Sequence, residues 1–282
     1  MVSGCIHSSP SITRAGLPSR DSVTWRINAE RLALLGWSRA ILMQFAHPLI
    51  AAGVDDHSTF RQSRLAPLKR LHGTIHAMLA MTFGTAADAG RAAAGINRIH
   101  DRVNGMLKET VGGYPAGTHY SAHDPQLLAW VQLTLLDSLA LAFETFVEPL
   151  SPPDRDRWCT EAIAGAHLLG VPADRLPRSF VELQHVIADH ISSGQVVVGD
   201  TARMLAARIL DPPILGLAWP WSRVNRLATI GLLPPDIRSQ YGFAWTSRDA
   251  RALERWARLS RAAVARMPLA LRQWRAARRS SV

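Results

Sequence analysis

Histidine is the residue type in this chain with the widest chemical use, because a neutral imidazole can bind a metal ion or transfer a proton near neutral pH. His100 follows Ile99 and precedes Val103 in a segment whose apolar residues recur at helical spacing. In an apolar pocket such an imidazole could reach an iron ion. A core histidine that is satisfied by a backbone carbonyl explains the same pattern, and the residues alone leave both interpretations open.

Two further pairs of histidines are spaced four residues apart. His72 and His76 lie in a helical pattern, where this spacing places both rings on one face and allows them to bind a metal jointly, although a third ligand is not obvious. His119 and His123 have the same spacing in a predicted loop, where the helical rule does not apply. Surface or hydrogen-bonded histidine is the alternative for all four, since a chain with 11 histidines contains such pairs by chance.

The elements that must position these residues are predicted to be helices. Apolar residues recur at intervals of three and four through most of the chain, whereas alternating runs of β-branched and aromatic residues are nearly absent. The predicted fold class is all-α, a single-domain helical bundle. The predicted helices cover 23–48, 68–83, 86–108, 126–147, 154–169, 179–191, 196–210 and a last segment from about 249. The helix over 126–147 is apolar nearly all round, so it should lie at the centre.

The chain divides into three predicted parts. Residues 1–22, rich in serine, glycine and proline, form a flexible leader without the features of a signal peptide. Residues 23–248 form the helical domain, and residues 249–282 form a basic C-terminal helix that packs on the domain or extends it. This last part supplies much of the net charge of +10. Arginine runs attract phosphate or anionic lipid, but no nucleic-acid-binding motif accompanies this one, so we predict no nucleic-acid partner.

Several classes of protein are excluded by missing motifs. No glycine-rich nucleotide fingerprint follows a strand, no Gly-x-Ser-x-Gly nucleophile motif occurs, and no Cys-x-x-Cys-His site for covalent haem is present. Polar residues interrupt every long apolar segment, so no transmembrane helix is predicted. Cys5 and Cys159 lie far apart, which does not indicate a disulfide framework. A reducing cytoplasm fits this composition, with a membrane surface as an additional location.

A series of short motifs follows a particular order along the chain. They are Gln44-Phe45-Ala46-His47-Pro48, Asp56-His57-Ser58-Thr59-Phe60, Arg70-Leu71-His72-Gly73-Thr74, His100 with Gly105, Tyr120-Ser121-Ala122-His123-Asp124-Pro125, Leu168-Leu169-Gly170-Val171-Pro172 and Gly231-Leu232-Leu233-Pro234-Pro235. Each motif is weak alone, but their joint order over most of the chain is specific. In these motifs the chain resembles the catalytic domain of the MpaB and rubber-oxygenase (latex-clearing protein) family.

The resemblance implies an all-helical bundle that encloses a pocket for non-covalent haem b. It makes His100 the iron ligand and places the family's Arg-x-x-x-Thr motif at Arg70 and Thr74. There the arginine can pair with a haem propionate or polarise a distal ligand, and the threonine hydroxyl can donate to either. The implied activity is that of a haem-dependent oxygenase that uses dioxygen on a hydrophobic small molecule, with oxidative cleavage of a carbon–carbon double bond as the reaction. Gly73 replaces a lysine of rubber oxygenase, and Gln132 replaces a histidine found in many members.

Three more residues are predicted to belong to the site. Asp56 and His57, in a polar motif between apolar segments, are predicted to handle protons near the substrate, with helix capping by Asp56 as the alternative. His47 is predicted either to line the cofactor pocket or to be a buried histidine bonded to a nearby carbonyl.

Two other functions remain open from the sequence. The first is a haem-binding or sensing protein without turnover, in which His72 or His76 fills the second axial position. The second is a peripheral membrane module that uses the basic C-terminal helix and the Trp219-Pro220-Trp221 segment. Neither the identity of the substrate nor the oligomeric state follows from the residues.

Overall fold

The computed structural model describes residues 17–57, 66–210 and 219–279, and for 66–71 and 219–221 it describes the backbone alone. Most of the predicted leader and the Ser58-Thr59-Phe60 part of one motif therefore lie outside the described residues. So do the side chains of Arg70 and of the Trp219-Pro220-Trp221 segment.

Helices build most of the described chain, which confirms the all-α prediction. They are α1 (Val23–Ala29), α2 (Leu35–Phe45), α3 (Pro48–His57), α4 (Ala66–Phe83), α5 (Ala86–His100), α6 (Pro125–Phe146), α7 (Pro152–Leu168), α8 (Phe180–Ser192), α9 (Asp200–Leu210), α10 (Trp219–Leu232), α11 (Pro235–Gln240), α12 (Ser247–Val264), α13 (Leu269–Arg272) and α14 (Arg275–Arg279). Short 3-10 helices cover Arg31–Leu34 and Ala173–Arg175. A small antiparallel sheet pairs β1 (Asn104–Met106) with β2 (His119–Ser121).

The centre of the bundle is α6, as its apolar sequence predicts. Asp124 caps its N-terminus by accepting a hydrogen bond from the backbone N–H of Gln126, and Pro125 suits the first turn. The helix packs along α2, where Gly36 permits a close approach because an added Cβ would overlap the carbonyl oxygen of Ser138. The two helices therefore form the main contact of the core.

A buried ion pair crosses this contact. Arg39 Nη1 on α2 lies 2.6 Å from Asp137 Oδ2 on α6. The guanidinium also donates to the Ser138 hydroxyl and the Leu232 carbonyl, each at 2.6 Å, and Gln184 Nε2 donates to Asp137 Oδ1 at 2.5 Å. Buried charges are stable when paired and hydrogen-bonded in this way. The network therefore ties α2, α6 and α8 to the end of α10.

Among the described residues, α6 is the helix that has the length and mean hydropathy to cross a membrane. Asp137 and Glu144 interrupt its apolar residues, which is why the sequence predicts no transmembrane helix, but the mean hydropathy of the helix remains high. In the fold, 72% of its most apolar window is buried inside the protein. That burial is what the core helix of a bundle requires.

Two predicted helices are interrupted in the structure. The predicted helix over 23–48 is divided at Glu30, where the backbone is extended, and again at His47 before Pro48 starts α3. The start of α1 is attached to α7, since the backbone N–H groups of Val23 and Thr24 donate to the carboxylate of Glu161 on α7. The break at Glu30 therefore lets α1 turn toward α7 while α2 continues along α6.

The predicted helix over 86–108 ends at His100, so its predicted continuation over 101–108 is wrong. Ile99 and Met106 are each 63% exposed. Beyond His100 the chain forms β1, in which Gly105 packs so closely on Tyr120 that an added Cβ would overlap the phenol oxygen. This tertiary contact replaces the helix that local spacing predicts.

The C-terminal segment forms three helices rather than one. Thr246 and Asp249 make a capping box at the start of α12. After α13 the chain returns to the start of the domain, where the backbone N–H of Trp274 donates to the carbonyl of Ala29 at 3.1 Å. Ala277 of α14 packs against Ala29 and Phe83. These contacts join the end of the described chain to α1 and α4.

Candidate functional site

His100 is the last residue of α5 and is partly buried. Its Nδ1 atom is buried and has no hydrogen-bond partner. The alternative of a core histidine bonded to a backbone carbonyl therefore does not hold for this nitrogen. Burial lowers the pKa of His100, and the neighbouring His123, whose ring centroid is 5.8 Å away, lowers it further. His100 is therefore a neutral imidazole with an unpaired nitrogen, which is the state in which histidine binds a metal.

The α4–α5 hairpin relates the Arg-x-x-x-Thr motif to His100. Gly84 and Thr85 alone connect the two helices, which pack on each other. Arg70 lies 13 residues before the end of α4, and His100 lies 14 residues after the start of α5. At about 1.5 Å per residue, the two backbones are about level in an antiparallel hairpin. Thr74 is exposed and lies one turn nearer the connection, so the motif and His100 share one end of the hairpin.

The two histidines within this motif region share a face, as predicted. His72 and His76 are exposed, and their ring centroids are 4.4 Å apart. Across the ranges 17–57, 66–210 and 219–279, no group of three or more His, Cys, Asp or Glu side chains is placed to hold a metal ion. Within those ranges the pair therefore has no third protein ligand.

Asp56 and His57 both contact the β1–β2 hairpin but make no hydrogen bond to each other. Asp56 lies in the last turn of α3, where it pairs with Lys108 and accepts a hydrogen bond from the Tyr120 hydroxyl at 2.6 Å. His57 Nε2 lies 2.9 Å from the carbonyl oxygen of Asn104. The position of Asp56 inside a helix differs from the capping position that the sequence left as an alternative.

The groups around Asp56 determine whether its carboxyl is ionised. Burial on its own would raise the pKa of this carboxyl, but the hydrogen bonds from Lys108 and Tyr120 outweigh burial and lower it. Burial and the neighbouring carboxylate raise the pKa of Tyr120. At neutral pH the pair therefore consists of an ionised carboxylate and a protonated phenol.

His47 lines a cavity of about 350 Å³ between α6 and α8. Its Nε2 lies 3.2 Å from the Tyr114 hydroxyl, while Nδ1 is buried without a hydrogen-bond partner. Burial lowers the pKa of His47 to about 4, and His190 contributes in the same direction. His190 also lines the cavity and stacks on Trp130 with ring centroids 5.0 Å apart. His47 therefore lines a cavity, and its partner is a phenol hydroxyl and not the predicted backbone carbonyl. Its place in a cofactor pocket stays a prediction.

The comparison with known families bears directly on this arrangement. The family model described as "ER-bound oxygenase mpaB/B'/Rubber oxygenase, catalytic domain" matches residues 25–262. The chain belongs to this family. The family consists of oxygenase catalytic domains, so the chain is assigned to the oxidoreductases. The match confirms the family that the order of the motifs indicates.

Similar proteins occur in two mycobacteria. An uncharacterized protein of Mycobacterium bovis and one of Mycobacterium tuberculosis are each 24% identical to the chain over 222 residues. The alignments cover 76% of this chain and 82% of each relative. No solved structure matches the chain significantly.

The surroundings of His100 fit a haem group in their chemistry. An iron ligand needs a neutral imidazole with a free nitrogen, which His100 has. A porphyrin also needs apolar surface and cations for its propionates, and the sequence neighbours of His100 include the exposed Ile99 and the exposed Arg98 and Arg102. For this member of the MpaB and rubber-oxygenase family, the residues present are therefore compatible with the cofactor that the resemblance implies.

Sequence reasoning missed four residues of this site, namely Lys108, Tyr114, Tyr120 and His190. The first two lie in the loop around the β-hairpin, and each reaches a partner more than fifty residues away, on α3 or at the end of α2. A tyrosine or lysine in a polar loop carries no periodic signal, so only the tertiary fold identifies it.

The stability of the fold should depend on pH through His47. Its folded pKa of about 4 lies below the unfolded value of 6.5, so the unfolded chain binds the proton more readily between these pH values. The contribution of His47 is therefore complete above pH 6.5 and is lost as the pH falls toward 4. The loss amounts to about 3 kcal/mol. Urea denaturation of the wild type and of His47→Phe across this range measures it.

His47→Phe should flatten the pH dependence even where it lowers absolute stability, whereas His185→Gln, at an exposed position on α8, should leave it unchanged. Equal slopes for wild type and His47→Phe would show that another group controls the acid sensitivity.

Proposed function

We propose that the protein is a haem b-dependent oxygenase that uses dioxygen to oxidise an apolar small molecule. The observation that carries the proposal is the neutral imidazole of His100, whose buried Nδ1 has no partner. It stands at the position that the resemblance assigns to the iron ligand, in a chain that belongs to an oxygenase family.

The residues of the α4–α5 hairpin would hold the cofactor. Haem supplies the iron centre that activates dioxygen when it is bound. We assign the iron ligand to His100, a propionate contact to Arg70 and a donor role to the hydroxyl of Thr74. Gly73 leaves the cofactor face without the lysine that rubber oxygenase places beside the motif threonine.

The proposed reaction is oxidative cleavage of a carbon–carbon double bond. One dioxygen molecule and one alkene give two carbonyl groups, each of which takes one oxygen atom, so no external reductant is needed. Asp56 stays ionised beside Lys108 and Tyr120 and is proposed to order the polar edge of the site. We further propose that His47 and its cavity belong to the same pocket system, and that the enzyme works in the cytoplasm.

A haem-binding or sensing protein without turnover is the second candidate. It is favoured by the exposed His72 and His76, which stand next to Thr74 with ring centroids 4.4 Å apart. Either imidazole could serve as a second protein ligand of a haem, and the haem would then have no free site for dioxygen.

Titration with haemin under reducing and oxidising conditions tests the proposal. The purified protein should develop a saturable Soret band, and the reduced form should bind carbon monoxide and consume dioxygen with squalene as an apolar polyene. No saturable band would contradict a haem protein. A band without carbon monoxide binding or oxygen uptake would favour the second candidate over an oxygenase.

A further inference from the structure

Helix α12 carries two apolar stripes, and only one of them packs on the protein. The inward stripe includes Leu253, Ala257 and Val264, which join the hydrophobic core. Such a stripe is what holds a surface helix of a bundle in place. The remaining apolar residues of this helix therefore need a separate explanation.

The second stripe faces solvent. It is formed by the partly buried Ala252 and the exposed Trp256, Leu259 and Ala263, which follow one another at helical spacings of four, three and four residues. Trp256 is 47% exposed and Leu259 is 56% exposed. Because this tryptophan and this leucine are adjacent on an exposed face, they form a contiguous apolar patch and are not single scattered surface residues.

The same kind of residue continues past the end of α12. Met267, Leu269 and Leu271 are also among the exposed large hydrophobic residues of the described chain. Five of the eight such residues lie between Trp256 and Leu271, so exposed apolar surface is concentrated in this one segment.

Arginines border the stripe on one side. Arg251, Arg255 and Arg258 are exposed on the outward half of α12, and none of them forms an ion pair with a described carboxylate. Residues 248–279 contain ten arginines and two acidic residues, a net charge of +8 compared with +10 for the whole chain. The apolar patch therefore sits in the most positive part of the protein.

The arginines and the exposed apolar side chains of this face together indicate which partner it binds. A second copy of the chain would bring the same arginines against each other, which is unfavourable at close range. An anionic lipid surface instead pairs headgroups with the arginines and admits the tryptophan and leucine to the boundary with the acyl chains. Trp in particular favours the interface between headgroup and hydrocarbon.

We propose that the outward face of α12, with the segment through Leu271, docks the protein on an anionic membrane surface. The face lies parallel to the membrane and does not cross it. The proposal is independent of haem binding and of turnover, because it uses residues that belong to neither.

Vesicle sedimentation of the full-length protein tests this docking. The protein should pellet with vesicles made of equal parts phosphatidylcholine and phosphatidylglycerol, should not pellet with phosphatidylcholine alone, and should be released at high salt. Arg251→Gln with Arg255→Gln and Arg258→Gln should weaken binding about a hundredfold. Trp256→Ser with Leu259→Ser should weaken it about tenfold or more.

The matched control is Val181→Ser on α8, which removes a 67% exposed hydrophobic residue away from the face and should bind as wild type does. Circular dichroism of each variant verifies the fold. Equal binding to neutral and anionic vesicles would overturn the proposal, as would equal losses from Val181→Ser and from the α12 variants. Concentration-dependent dimerisation that Trp256→Ser with Leu259→Ser abolishes, without anionic vesicle binding by the wild type, would also overturn it.

Discussion

Replacing Asp137 with alanine should lower the free energy of unfolding by about 3–5 kcal/mol. The change leaves the buried guanidinium of Arg39 without its carboxylate and removes the acceptor for Gln184. A buried charge without a counter-ion is costly because the interior cannot replace the water it lost. Urea denaturation monitored by circular dichroism measures the effect.

Two controls separate the lost ion pair from the loss of side-chain volume. Arg39→Met combined with Asp137→Leu removes both charges with little loss of volume and should recover most of the stability. Asp200→Ala breaks the exposed pair with Arg203 and should cost less than about 1 kcal/mol. A loss below that value for Asp137→Ala would show that the pair contributes little to the fold.

The parts of the fold that the sequence predicted correctly depend on local chemistry. The predicted starts at 126 and 179 lie within one residue of the observed helices, because Asp124 and Pro125 start α6 and Ser179 caps α8. Apolar residues all round α6 predicted its central position, because no other place in a bundle can bury every face.

The parts that the sequence did not predict depend on contacts between distant segments. Strands of three residues are too short for alternation to be seen, so β1 was predicted as a continuation of α5. The chain leaves the helix after His100 because Tyr120 packs on Gly105 and bonds to Asp56. These three residues are separated by at least 15 positions, and no local rule relates them.

In the candidate site, too, some features follow from the sequence and others only from contacts between distant segments. The order of the motifs predicts His100 and the Arg-x-x-x-Thr motif as site residues, and this assignment stays a prediction. The two-residue connection of the hairpin accounts for their positions at one end of it. The sequence placed Asp56 and His57 together as a proton-handling pair, a role that stays a prediction. Their bonds to Tyr120 and to the carbonyl of Asn104 could be seen only in the fold.

The outward face of α12 could be predicted from the sequence only in part. Arginine enrichment near the C-terminus predicted a basic helix, but enrichment alone does not distinguish a solvated face from a docking surface. The fold adds that Leu253, Ala257 and Val264 pack inward while Trp256 and Leu259 remain exposed, and this arrangement supports the docking proposal.

His100→Gly should abolish the saturable Soret band and the oxygen uptake of the haem-loaded protein. The substitution removes the imidazole from the last position of α5, where one glycine costs the helix about 1 kcal/mol or less, so the fold should persist. Free imidazole should enter the space left by the side chain and restore the band. Absorption spectra of the variant with and without imidazole, alongside its circular dichroism, measure both effects.

His123→Ala is the matched control, because the His123 ring contacts His100 while its Nε2 pairs with the exposed Asp101. It should keep the Soret band. If the His100→Gly variant binds haem as the wild type does, another residue is the iron ligand. His72→Ala with His76→Ala would then decide whether α4 supplies it. Rescue by imidazole is the sharper criterion, since a fold damaged by the substitution could not recover its spectrum from a small diffusible ligand.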